Sequence, residues 1–189
     1  VSGTINTDQI IFASNGYMRL APKGTSGPTD LTTAWDSAWK DFGSIGDDGV
    51  KLQRKVDTKE VKVWQQLTTV KYHITGVSMT GQLKLLEWNK YTIPFAFGGG
   101  AWAETSLGSG VLRYNVSSQP AVDERAAGFE WIDGTLIYRM VIPRVMLTEM
   151  GDITLKNDDS AAIEVTLGAM APASGQTLAY LLCNDTSLI

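Results

Sequence analysis

The segment FEWIDGTLIYRMVIPR, residues 129–144, sets Asp133-Gly134 between two runs of β-forming side chains. An Asp-Gly pair in that setting is among the strongest short-range signals for a two-residue hairpin, because both central positions of a type I′ turn need positive φ. Past the turn, strand alternation puts Leu136, Tyr138, Met140 and Ile142 on one face and Ile137, Arg139 and Val141 on the other. Neither face is cleanly polar. A strand of this kind needs cover on both sides, from its own domain or from another copy of the chain.

Strand texture extends outward from this hairpin in both directions. Toward the C-terminus it runs on through Met150, and after the turn-like LKNDDS (155–160) come AAIEVTLGAM (161–170) and TLAYLLCND (177–185). Toward the N-terminus lie RAAGFEWI (125–132) and GVLRYNVS (110–117). Before those, EVKVWQQ (60–66), VKYHITG (70–76) and MTGQLKLLEW (79–88) read as three strands of a meander. Residues 50–57, VKLQRKVD, are polar enough for an exposed arm or edge strand, and residues 10–20 read as a strand pair or a strand kinked at Asn15-Gly16. In LTTAWDSAWKDFG (31–43), the spacing of Trp35, Trp39 and Phe42 predicts one face of a short helix that Gly43 ends. Its tryptophans either cap the domain's own core or plug into a neighbouring subunit. A further short helix over residues 91–97 must take Pro94 into its first turn or break there. Nine or ten strands and at most two short helices predict a mainly β fold. The expected architecture is an antiparallel β-sandwich or barrel with one short flanking α-helix and extended loops.

The bulk properties narrow the function. A chain of 189 residues, 43% hydrophobic, supports one folded unit spanning residues 1–189. With 16 basic and 20 acidic residues the net charge is −4, which gives no general attraction to nucleic acid or to an anionic membrane. No apolar run approaches the roughly 18 residues of a membrane span. The opening VSGTINTDQ lacks the basic and apolar regions of a signal peptide, so the expectation is a soluble protein made in a cytoplasm.

Chemistry-bearing residues are few. Cys183 is the sole cysteine and reads as a small buried hydrophobe; His73 is the sole histidine, which excludes a His-based metal cage and leaves any triad dependent on it. The cluster Asp152, Asn157, Asp158 and Asp159 has oxygen ligands but lacks the alternation and distal glutamate of a calcium loop. Gly98-Gly99-Gly100 has no following Lys-Ser/Thr and is not a phosphate cradle. No cofactor and no metal are expected, and no active site stands out. Six tryptophans on a β-sandwich leave a carbohydrate-binding or adhesin-like module as the alternative, with Trp35, Trp39 and Trp102 in loops and Trp64, Trp88 and Trp131 in strand runs.

Taken in order, these pieces resemble the major tail tube proteins of tailed bacteriophages, particularly those with long non-contractile tails from phages of actinobacteria. The resemblance rests on WKDFGSIGDDGV (39–50), Val63-Trp64-Gln65, QLKLLEW (82–88), Trp131-Ile132-Asp133-Gly134, Ile142-Pro143-Arg144-Val145 and TEMGDI (148–153). It spans about residues 35–185. Pro94 departs from the family's uninterrupted helix. The resemblance implies a structural protein and no enzyme: a β-sandwich with a flanking helix, six copies closing into a ring, and rings stacking into a tube that conducts double-stranded DNA. It also implies contacts with other tail proteins (tape measure, tail terminator, distal tail protein), a place in the virion, and synthesis in the host cytoplasm.

Under that reading, contacts between subunits fall to the loop and arm of residues 20–57, with Trp35, Trp39, Asp47, Asp48, Lys51, Arg54 and Lys55 as the candidates. The lysines and Arg54 would meet acids such as Asp152 or Asp158 of the next ring. An acidic or neutral lumen wall would leave passing DNA hydrated and mobile, and strand alternation nominates Glu60, Lys62, Gln66, Glu164 and Thr166 for it.

Overall fold

The structure is a computed structural model and describes residues 9–153, 155–175 and 177–188; the reading of the first eight residues as free of a leader lies outside that range. The strands are β1 (Asn15–Pro22), β2 (Lys40–Asp41), β3 (Ile45–Val63), β4 (Gln66–Leu85), β5 (Trp102–Glu104), β6 (Leu112–Tyr114), β7 (Glu124–Asp133), β8 (Leu136–Met150), β9 (Ile163–Ala169) and β10 (Tyr180–Cys183), with one α-helix, α1 (Thr92–Ala96). Eight strands form one antiparallel sheet in the order β2-β1-β7-β8-β9-β4-β3, with β10 also paired to β8; β5 and β6 make a separate ribbon. The sheet curls until β1 and β3 approach one another without pairing. It is therefore mainly β, consistent with a sandwich, and no closed barrel.

The hairpin of β7 and β8 forms with its turn one residue later than the Asp-Gly signal places it. Asp133 pairs with Leu136, so Gly134 and Thr135 are the central residues. Gly134 has φ 57°, and no non-glycine among the described residues has positive φ. A single left-handed residue at the first central position is the pattern of type II′, not type I′. The two-sided apolar character of β8 is resolved within the chain. One face joins the main core through Ile142 and Val145, packed with Met18, Phe129, Leu83 and Val165. The other face buries Val141 with Ala21, Ala126 and Trp39. Pro143, which has no N–H to give a ladder, sits where β8 changes partner from β10 to β9, within a bulge of β8 that sets Pro143 and Arg144 against Ala126 of β7.

Three further sequence expectations need correction. The meander of residues 60–88 is one long hairpin, β3 and β4, turning at Trp64-Gln65. The glycines that looked like strand ends serve other purposes. Gly81 lies inside β4, where an added Cβ would touch Leu52 at 3.4 Å and the Phe129 ring at 3.8 Å. Gly76 adjoins a bulge opposite Asp57. The helix expected over residues 31–43 does not form; turns and the short β2 occupy it. Asp30 accepts hydrogen bonds from the Thr32 N–H (2.8 Å) and the Thr33 N–H (2.6 Å), and Asp36 from the Ala38 N–H (2.8 Å). Such local side-chain bonds compete with helical backbone pairing. By contrast α1 does form, with Pro94 in its first turn, where its missing N–H is not needed. Asn89 accepts the N–H groups of Tyr91 (2.8 Å) and Thr92 (3.0 Å) at its entry, and Ile93, Phe95 and Ala96 are buried in the core. β1 begins only at Asn15, so residues 10–14 are not a strand.

Candidate functional site

The feature that sets this chain apart from a plain sandwich is the outer part of the β3–β4 hairpin. β4 pairs with β9 only from Thr80 to Leu85. Beyond the Gln53–Thr80 pair, β3 and β4 have each other alone, and β3 continues ten residues further to Val63, roughly 33 Å of extended chain. A two-stranded ribbon alone is marginal in water. Register divides it into two unlike faces. One, continuous with the core side, carries Leu52, Val56, Tyr72, Ile74, Val77 and Met79, broken by Arg54 and Glu60; the other carries Lys51, Lys55, Lys59, Lys71 and His73. Tyr72 and Ile74 are about 60% exposed, and at the tip Trp64 and Leu67 are wholly exposed. A long exposed apolar ribbon is an aggregation hazard unless something pairs with it.

The candidate residues for contacts between subunits do not form one cluster. Lys51, Arg54 and Lys55 lie on β3, with Arg54 on the opposite face from the lysines; Lys55 is held by Asp57 at 2.9 Å. Asp47 and Asp48 sit at the root, where Asp48 receives Lys84 at 2.7 Å. That pairing, mainly the hydrogen bond itself, holds the Asp48 carboxyl below its usual range and the Lys84 ammonium above its own.

Trp35 and Trp39 fold back over their own sheet. Trp39 is 4% exposed and gives its indole N–H to the Ser26 carbonyl at 3.0 Å; Trp35 gives its own to Glu130 at 3.1 Å and meets Trp39 edge to face. Gly128 leaves the notch they fill, since a Cβ there would run into the Trp35 ring. The buried Arg139 ties the covering loop down, donating to the carbonyls of Asp30 (3.0 Å) and Thr33 (2.8 Å) while paired with Glu130. Backbone and hydroxyl hydrogen bonds from Thr33, then Thr32, pull the Asp30 carboxyl down to about 2. This cover spans the non-core face of β1, β7 and β8.

Over β9 and β4 the same non-core face is bare. Ile163, Val165 and Leu167 are buried in the core, and Glu164 and Thr166 point away from it beside Gln82 and Lys84. Glu60, Lys62 and Gln66 stand apart, exposed near the arm's end, with Glu60 bonded to Lys62 (3.1 Å) and to the Thr69 hydroxyl (3.0 Å). The five candidate lumen residues thus occupy two places. Sequence reasoning missed the tip and the apolar arm face; the signal was Trp64 itself, standing on the polar side of its alternation next to two glutamines.

The tryptophans do not gather into a sugar platform. Trp131 stacks on Tyr138, Trp102 tilts against Tyr114, Trp88 donates to the Ala161 carbonyl, and Trp64 stands alone. Among the described residues no three His, Cys, Asp or Glu side chains converge to hold a metal, and no helix is long and apolar enough to cross a membrane. A family model described as phage tail tube protein matches residues 3–189. No match was found among curated proteins.

Proposed function

Since this chain belongs to the phage tail tube protein family, we propose that it closes into six-membered rings that stack into a hollow tube and conduct double-stranded DNA from capsid to host. Its role in the tail of the virion is structural. The observation that carries the assembly part is the projecting β3–β4 hairpin, whose apolar face and tip are exposed in the single chain. That surface needs another copy to cover it. Residues 1–189 act as one tail tube unit, made in the host cytoplasm, that meets tape measure, terminator and distal tail proteins at the tube's ends.

The bare face over β4 and β9 is our choice for the lumen wall. It carries Gln82, Glu164 and Thr166, and its Lys84 is neutralised by Asp48. Lys51 of β3 faces the same way opposite Gln82, so Asp48 and Glu164 balance Lys51 and Lys84 there, and a wall with no cationic excess holds passing phosphates only weakly by counterion release. The covered face, under Trp35 and Trp39, turns outward. Contacts between rings fall to Lys51, Arg54 and Lys55 on the arm together with its apolar face. Sedimentation and negative-stain microscopy of the purified chain over a concentration series test this: rings or tubes are expected, and a monomer throughout would refute it.

A further inference from the structure

The chain carries both a knob and a hole. The knob is the arm tip, where Trp64 is 100% exposed and Leu67 is equally bare. The hole is the gap where the curled sheet fails to close. There, Tyr17 of β1, Ile45, Val50 and Leu52 of β3, and Phe129 and Trp131 of β7 line a groove of about 450 Å³. That volume lies within the range that accepts a drug-sized ligand, so it admits an indole.

The occupant is decided by reach and by charge. Val50 and Leu52, in the groove wall, belong to the same continuous strand that ends beside Trp64. Twelve residues of strand separate Leu52 from Trp64, about 40 Å, so a chain cannot seat its own tip in its own groove. Between Lys51 and Met79 the arm has six Lys or Arg and two acids, which leaves ten basic and eighteen acidic residues for the remainder of the chain. A basic arm is thus matched to the acidic body of another copy, and Asp47 stands exposed on the groove's rim.

We propose that Trp64 of one copy docks in the groove between β1 and β3 of a second copy, with the arm lying along that copy's body. The inference rests on the tube reading and gives it a specific joint. Because knob and hole are different patches, the contact is head-to-tail and propagates instead of closing as a dimer. Burying an aromatic anchor in a desolvated pocket is also the usual form of an interface hot spot.

The test uses the full chain in a Cys183→Ser background. Two variants, Gln65→Cys, which keeps the Trp64 anchor beside it, and Tyr17→Cys, are mixed under assembly conditions and oxidised. Tyr17 is half exposed, so its replacement leaves the core intact. The expected result is a disulfide-linked heterodimer in the mixture and in neither variant alone. In parallel, Trp64→Ala should keep the wild-type circular dichroism and melting temperature while raising the concentration needed for assembly at least tenfold. Tubes forming from Trp64→Ala at the wild-type concentration, or assembled mixtures without the cross-link, overturn the docking and leave the tube reading standing. A wild-type chain that never assembles overturns both.

Discussion

Replacing Trp39 by Ala separates a cap over the chain's own sheet from a plug into a neighbour. The indole is 4% exposed, packed against Ala21, Ala126 and Val141 and seated over Gly128. A buried Trp removes about 150–250 Å² from water. At about 25 cal/mol/Å² this corresponds to roughly 4–6 kcal/mol, an upper bound because the unfolded chain is partly compact. Large-to-small core substitutions of this type are measured at about 3–5 kcal/mol. The lost bond to the Ser26 carbonyl adds about 1 kcal/mol. For a chain of this length each kcal/mol lowers the melting temperature by about 2–4 °C. Urea unfolding and thermal melts of unassembled protein should therefore show a loss of at least about 3 kcal/mol and a drop of roughly 6–20 °C. An unchanged monomer stability, with assembly abolished, would falsify the cap and restore Trp39 as an anchor between subunits.

The other predictions concern charge, the arm and the turn. Glu124 accepts a bidentate pair from Arg144 (2.7 and 3.0 Å) and a third bond from Lys23 (3.0 Å), and those donors, Arg144 first, draw its carboxyl from 4.5 down to about 2. A depressed carboxylate contributes stability that is fully present above 4.5 and drains as pH falls toward 2. Glu124→Gln should accordingly be less stable at neutral pH and show a flatter acid limb in that window; an unaltered limb in acid titrations followed by circular dichroism would show that the pairing does not matter. Exchanging residues 54–79 for Asn-Gly should leave a folded monomer with wild-type melting behaviour and no tubes in micrographs, and normal tubes would remove the arm from the account. Gly134→Ala puts a Cβ at φ 57° and should destabilise by about 1–2 kcal/mol in urea; a neutral result would mean the turn rearranges.

The parts of the fold that were legible in the sequence are those where one local rule dominates. Period-two alternation located β7, β8 and β9, and put Glu164 and Thr166 on the side away from Ile163, Val165 and Leu167. The position of Pro94 in a first turn allowed α1 to form. Failures came where local signals compete with tertiary demands. Glycines at 76 and 81 signal turns, yet one adjoins a bulge and the other gives Leu52 and Phe129 room, so two strands read as separate are one. The tryptophan spacing of residues 35–42 imitates a helix, but Asp30 and Asp36 capture backbone N–H groups and fold turns instead.

The candidate site was less legible than the fold, for a physical reason. Side-chain type and spacing identify an arm, but only its pairing shows whether an apolar residue is covered. Tyr72, Ile74 and Val77 read as ordinary sheet residues until the register leaves them without a facing layer. Lys84 and Asp48 are 36 residues apart and neutralise each other only because β3 returns beside β4 at the root. The two-sided burial sought for residues 136–142 turned out to be supplied by the chain's own covering loop. The apolar face of the arm has no such cover.

The central claim is that another copy covers that arm. Electron cryomicroscopy of the assembled wild-type chain tests it most directly. The account predicts a six-fold tube with an open lumen, in which each β3–β4 arm lies on the body of another copy with Trp64 out of solvent. Tubes whose arms project freely into solvent, or a chain that stays monomeric with its arm bare at every concentration, would contradict it.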